Sequence, residues 1–341
     1  MLGDRIRTIL VLPSGHRVPV ARTADFQQVC AIPMVTLRKN LISICLYFPG
    51  LLLSAIYLRR LISRTRCKRV QFNDFSMPQG ALLRLMGYRG LIVTFVRIDT
   101  RRFGLAGRLW LAAARWASDE MISVSHFIQG TLLPKTPSRV IYGETAVDPF
   151  LRSRPDLSRP TLLFVGNYIR GKGQEHAIAA FHRIAKSHPA SRLRFVGGDM
   201  GLNKNIQFRV ELEQLANFGP AANQIEFFGQ ANDMRPYLAN AYAALNLSES
   251  ESFSRTCLEA SAAGLAVIAT RCGGPEEIID HEKTGFLVEC GDVQSMAERM
   301  DWLLNHPAEA KAMGAAGKSL IQRRFSRRGA TKAFVGLLRL D

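Results

Sequence analysis

Residues 161–181 read TLLFVGNYIRGKGQEHAIAAF. The run from Thr161 to Val165 suits a buried strand, a glycine-bearing loop follows, and Ala177, Ile178, Phe181 and Ile184 then recur at helical spacing on one face. The unit is strand, loop, helix. It repeats as strand Leu193 to Val196 with Gly197-Gly198, a helix near Gln207 to Phe218, a strand near Gln224 to Phe228 and a short helix at Asp233 to Asn240. Strand Ala243 to Leu247, helix Arg255 to Ala263, strand Ala266 to Thr270, a turn at His281 to Gly285 and strand Phe286-Leu287-Val288 come next. Asp292 to Asn305 and Ala308 to Arg323 read as closing helices, with Ser326 as N-cap of a last helix to Leu340. Such alternation makes a parallel, doubly wound α/β domain.

Working toward the N-terminus, Pro134 to Pro160 holds five prolines and reads as a linker. Before it, strands at Thr8 to Leu12, Arg69 to Phe72 and Leu91 to Phe95, with helices near Gln79 to Met86 and Leu105 to Ala117, predict a second α/β domain. The net charge of +17 is divided unevenly. Residues 1–155 hold 23 Lys and Arg against 8 Asp and Glu, and residues 156–341 hold 22 against 20, so the halves carry +15 and +2. A neutral working half joined to a basic one points to an anionic surface, either lipid or nucleic acid. Nucleic acid is the poorer fit, because no recognisable module interleaves aromatic with basic residues.

Leu41 to Tyr57 is free of charge, but Pro49-Gly50 falls in its middle. A helix of that length reaches only about 25 Å against a hydrocarbon core of about 30 Å, which favours a buried helical hairpin or a membrane-facing interfacial segment over a true span. The six cysteines form no CxxC or CxxH pair and read as reduced residues of a cytoplasmic protein. Pro13, His16 and Arg17 interrupt the first apolar stretch too early for a signal peptide.

In open parallel sheets ligands bind beyond the carboxyl ends of the strands, so three loops carry the chemistry. In the first, Gly166 permits backbone approach while Arg170 and Lys172 offer positive charge beside the N-terminus of the next helix. A solvated basic turn would have the same composition. The second, residues 247–255, places Glu249 and Glu251 before a helix bearing Glu259, which can accept hydrogen bonds from vicinal hydroxyls such as those of a ribose. Glu251 is also a plausible helix-capping acid and Glu259 a plausible surface residue. The third loop carries Gly273 and Gly274, again between a strand and a helix start.

Taken in order, these loops resemble those of the retaining GT-B glycosyltransferases of family 4, over roughly residues 160–330. Phe164 to Gly173 looks like the family's phosphate loop, Glu251 to Glu259 reproduces its E-x7-E pattern, and Gly264 to Thr270, Gly273 to Ile278 and Thr284 to Val288 continue the similarity. The resemblance implies an α/β protein of GT-B architecture, with two Rossmann-like domains whose parallel sheets face a central cleft. It implies an acceptor-binding domain over residues 1–155, a nucleotide-sugar domain over 156–324 and a C-terminal helix over 325–341 returning toward the first domain.

By the same resemblance Lys172 contacts the donor diphosphate, Glu259 the ribose and Glu251 the transferred sugar. Catalytic roles fall to Glu251, Lys172 and Arg97. Donor binding falls to Gly166, Asn167, Arg170, Lys172, a glycine assigned to position 228, Glu251, Ser252, Phe253, Ser254 and Glu259. Neither a metal nor another cofactor is implied. Two departures stand out. Asn167 replaces the arginine common after the loop glycine, so Arg170 is the available substitute, and the histidine usual near Thr94 is absent, with Val96 and Arg97 there instead. His16 and Arg97 are then the candidates for the acceptor side, although a lone histidine in a basic turn is also simply solvated. The expected activity is sugar transfer from a nucleotide-sugar to a lipid-linked or polysaccharide acceptor in cell-envelope or exopolysaccharide synthesis. The expected place is the cytoplasm, peripheral on the inner face of the cell membrane, with an anionic membrane surface and no nucleic acid as partner. The alternative is a GT-B protein without transfer, acting as a binding or scaffold subunit.

Overall fold

The computed structural model describes residues 8–14, 26–34, 41–143, 155–325 and 336. They divide into two compact units. One comprises Met1–Ser123 with Thr131–Arg139, and the other Val124–Gly130 with Val140–Asp341.

In the first unit, β1 (Ile9–Pro13) and β2 (Gln28–Ile32) pair in parallel with Ile9 opposite Gln28. The helix α1 (Leu41–Thr65) follows, then β3 (Arg69–Phe72), α2 (Gln79–Leu85), β4 (Leu91–Val96), a 3-10 turn (Thr100–Phe103), α3 (Gly104–Ala117) and β5 (Glu120–Ser123). The sheet runs β3-β4-β5-β6, with β6 at Arg139–Val140, and β3 through β5 are parallel. The uncharged run is not a hairpin. The chain continues helical through Pro49 for 25 residues. An interior proline costs about 3 kcal/mol through its missing donor and ring clash. Burial of Ala55, Leu58 and Ile62 further along α1 offsets that cost. Its last two turns carry Arg59, Arg60 and Arg64, and no described helix is long and apolar enough to cross a membrane, which removes the spanning alternative among the described residues.

The second unit opens with α4 (His126–Gly130), then β7 (Thr161–Val165), α5 (Gln174–Ile184), β8 (Arg192–Val196), α6 (Asn203–Asn217), β9 (Ile225–Phe228) and α7 (Arg235–Asn240). It continues with β10 (Ala243–Asn246), α8 (Arg255–Ala263), β11 (Ala266–Thr270), β12 (Gly285–Val288), α9 (Val293–Asn305) and α10 (Pro307–Arg324). All six strands are parallel in the order β12-β11-β10-β7-β8-β9. The chain therefore winds one way from β7 to β9 and the other way from β10 to β12. Leu162 and Phe164 enter one core and Leu163 and Val165 the opposite one, the alternation a sheet covered on both faces requires. The order reverses between β7 and β10, and a crevice at such a reversal is where ligands of doubly wound sheets bind. The expected last helix from Ser326 lies outside the described residues.

Candidate functional site

The loops at the carboxyl ends of this sheet are stitched to one another by backbone. Gly166 N–H donates to the Val196 carbonyl at 3.0 Å and Tyr168 N–H to the Gly198 carbonyl at 2.9 Å. Gly197 packs closely against this loop, since an added Cβ there would lie 1.9 Å from the Gly166 oxygen, while a Cβ on Gly166 itself would meet only the Phe164 ring at 3.6 Å. Asn167 belongs to the same seam, because its side-chain oxygen accepts from Gly198 N–H at 3.2 Å. On the other side of β7, Glu249 N–H donates to the Gly171 carbonyl at 2.9 Å. Gly173, with φ of 82°, caps α5 against the Leu247 carbonyl, only 2.0 Å from where its Cβ would stand. One further strand along, Glu251 N–H reaches the Cys272 carbonyl and Gly274 N–H the Glu251 carbonyl, at 3.2 and 2.7 Å.

On this frame Lys172 and Glu251, 79 residues apart, meet. The ammonium is 2.7 Å from Oε1 of Glu251, and the Ser248 hydroxyl donates to the same oxygen at 2.8 Å. The Glu251 side chain is only 16% exposed, so its charge is held between a cation and a hydroxyl. Glu259, one turn into α8, is 18% exposed and pairs with Arg255 at 3.1 Å. One carboxylate and one ammonium thus meet at the strand reversal, and Glu259 stands on the helix that follows.

Other expected site residues have protein partners of their own. Arg170 pairs with Glu211 and stacks over the Phe208 ring at 4.7 Å. Ser254 is buried and used as the N-cap of α8, accepting from Cys257 N–H at 3.2 Å and from the Asn246 amide at 2.8 Å. Phe253 packs between Tyr142 and Phe325 at ring distances of 5.5 and 5.8 Å. Position 228 is Phe228, half exposed under the Arg194 guanidinium, and the glycine stands one place on as Gly229. The Ser252 carbonyl accepts from the Ser125 hydroxyl at 2.6 Å.

That last contact belongs to a group of residues the sequence did not single out. Glu277 accepts from the backbone N–H groups of His126 and Phe127 at 3.0 and 2.6 Å and from the Tyr142 hydroxyl at 2.7 Å. Burial, followed by the neighbouring Glu277 carboxylate, drives the Tyr142 hydroxyl well above its ordinary pKa. Glu277 therefore fixes α4 and Tyr142 onto the loop that carries Gly273. No local motif announces such a tie, because its partners lie 135 to 151 residues away.

In the first unit, Arg97 follows the carboxyl end of β4, and its backbone N–H donates to Asp74 at 3.2 Å. Burial raises the Asp74 carboxyl, opposed by hydrogen bonds from Ser76 and Arg97. His16 lies outside the described residues.

Residues 151–320 match the family model described as glycosyl transferases group 1. A lipopolysaccharide core biosynthesis glycosyltransferase, LpsD of Rhizobium meliloti, is 28% identical over 199 residues, 55% of this chain and 55% of that protein. A GDP-mannose-dependent alpha-(1-6)-phosphatidylinositol monomannoside mannosyltransferase of Mycobacterium tuberculosis is 33% identical over 181 residues, 50% of this chain and 45% of that one. The chain spans about half the length of the curated relatives it matches. The structure of Anabaena Alr3699/HepE in complex with UDP and glucose superposes with a TM-score of 0.81 at 16% identity, covering 98% of this chain and 99% of that one. The fold is thus the two-domain α/β GT-B type.

Proposed function

Through residues 151–320 this chain belongs to the glycosyl transferases group 1, and from that membership we propose that it moves a sugar from a nucleotide-sugar to a lipid-linked or polysaccharide acceptor. The observation that carries the reading is the meeting of Lys172 and Glu251 at the reversal point of the sheet, with Glu259 on the following helix. In this reading the donor diphosphate takes the Lys172 ammonium, Glu259 turns from Arg255 to the ribose hydroxyls, and Glu251 faces the transferred sugar. The leaving diphosphate is neutralised by Lys172 and the partial positive charge at the α5 N-terminus, without a metal or other cofactor. Attack comes from the face the diphosphate leaves, with retention of configuration. The protein's contribution is mainly positioning and electrostatics.

The relatives' names join transfer to a lipopolysaccharide core and to a phosphatidylinositol mannoside, which supports an envelope acceptor. The first unit, residues 1–155 in the sequence reading, holds that acceptor near Arg97 and works at the anionic inner face of the cell membrane. Residues 156–324 hold the donor. A thermal-shift screen with UDP-, GDP- and ADP-sugars, followed by assay of nucleoside diphosphate release, tests this. Ligand binding raises apparent stability as ln(1 + [L]/Kd). One nucleotide class should raise the melting temperature and be turned over, and an absence of response to all three would overturn the reading.

Arg170 favours a second reading, because its pairing with Glu211 leaves the position of Asn167 without a compensating cation. A binding subunit of this kind would give the thermal shift without releasing nucleoside diphosphate in the presence of any acceptor.

A further inference from the structure

The α3 helix is built the wrong way round for a surface helix in water. Its inward face is small, formed by Gly107, Ala114 and Ala117 with Leu111, while Leu105, Leu109 and Trp116 are 72, 64 and 61% exposed. At 100° per residue, Leu105, Leu109, Ala112 and Trp116 fall within about 60° of arc, so the largest apolar side chains form one outward stripe. Exposed Arg108 and Arg115 flank it on one side, and exposed Arg101 and Arg102 precede it. Phe48 of α1 is likewise 72% exposed.

Charge identifies the occupant. From residue 41 to 118 the chain has 13 Lys and Arg but only Asp74 and Asp99 as acids, and α3 itself has none. The second unit also bears a stripe on α6, at Leu202, Ile206 and Val210, but there Glu211 and Glu213 accompany Lys204 and Arg209 and no charge preference results. An apolar stripe edged by Arg108 and Arg115, on a helix that has no acid, fits a surface that is apolar within and anionic at its boundary, while Arg101 is already paired with Asp99.

We propose that α3 lies in the plane of an anionic lipid bilayer, with Leu105, Leu109 and Trp116 in the acyl boundary and Arg108 and Arg115 among the headgroups. This deepens the proposed function by assigning its membrane contact to one helix, and it rests on that reading only for its biological purpose. The full chain is mixed with phosphatidylcholine vesicles containing one quarter phosphatidylglycerol, or none. It should sediment with the anionic vesicles tenfold or more better than with the neutral ones, and the difference should shrink as salt rises. Leu105→Asp with Leu109→Asp should lower anionic-vesicle binding at least tenfold while leaving any nucleotide-sugar thermal shift unchanged. As a check on any folding defect, brominated acyl chains should quench the wild-type tryptophan fluorescence, and Trp116→Phe should remove most of the quenched component although Trp110 and Trp302 remain. Equal binding by the double variant, no vesicle binding by the wild type, or quenching that survives Trp116→Phe would each overturn the assignment. So would a wild-type dimer in sedimentation velocity that the double variant dissociates without any vesicle binding, since the stripe would then cover a second copy. Vesicle binding without nucleotide-sugar response would reject the transferase reading alone, and the reverse would reject only the α3 assignment.

Discussion

Glu251 and Glu259 differ in what holds them, and that difference assigns them different kinetic signatures. Glu251 shares a proton-rich corner with Lys172 and Ser248, whereas Glu259 has Arg255 as its ion-pair partner on α8. A carboxylate that holds ribose hydroxyls binds ground and transition states alike. Glu259→Gln should therefore raise the donor KM with kcat less affected. A carboxylate beside the sugar acts as positive charge develops, so Glu251→Gln should lower kcat. In the proposed reading Glu251 also competes with the diphosphate for Lys172, so its replacement should leave donor affinity unchanged or tighter. Steady-state kinetics on both variants with one donor checks the division, and equal losses confined to kcat would contradict it. The sequence named Lys172 and Glu251 but not their meeting, because an ion pair across 79 residues leaves no spacing to read, whereas the Arg255–Glu259 pair at i,i+4 was readable and was missed. Ser254 and Phe253 were read as donor-binding loop residues, with no sign of the helix cap or the aromatic cluster they form. Whether a hydroxyl caps a helix or a ring enters an aromatic cluster depends on neighbours brought in by tertiary packing.

Among the elements, the loop after β7 is the most constrained. Gly173 combines a φ of 82° with a carbonyl 2.0 Å from its absent Cβ, so alanine there meets both backbone strain and a clash. The strain alone is about 1–3 kcal/mol. At about 2–4 °C per kcal/mol for a domain of this size, Gly173→Ala should lower the melting temperature by several degrees or more. Gly229→Ala, where an added Cβ meets nothing within 4 Å, is the matched control and should change it little. Calorimetric scans of the two decide, and equal melting temperatures would refute the steric account. Elements with strong periodicity were legible to the residue: β3, β7, α8 and β11 begin and end where the sequence places them. β5, α4 and β2 were not seen although they are no shorter than β3, so length alone did not decide which elements were legible. Pro49 was read as a break, and α1 runs through it because its later turns are anchored in the core.

At the scale of the whole molecule, one half carries the charge and the other the proposed donor site, and the second unit also sets an alkaline limit. Burial pushes Cys272 up to about 12, as it does Tyr168 and Tyr242. Their folded pKa values exceed the unfolded ones, so the native state holds more protons above about pH 9. Stability contributed below the unfolded values is then lost as pH rises through the folded ones. The urea midpoint should accordingly fall between about pH 9 and 12, and a flat midpoint across that window would contradict the assignment of these groups as buried and neutral. The proposed function rests on donor binding. The most direct test is titration calorimetry of UDP-, GDP- and ADP-sugars into the wild type and Lys172→Ala. A charge-assisted contact to a diphosphate contributes about 1.5–3 kcal/mol, so the account predicts binding of one nucleotide class and a loss of at least about tenfold in the variant. Equal affinity in the two proteins, or no nucleotide-sugar bound by either, would contradict it.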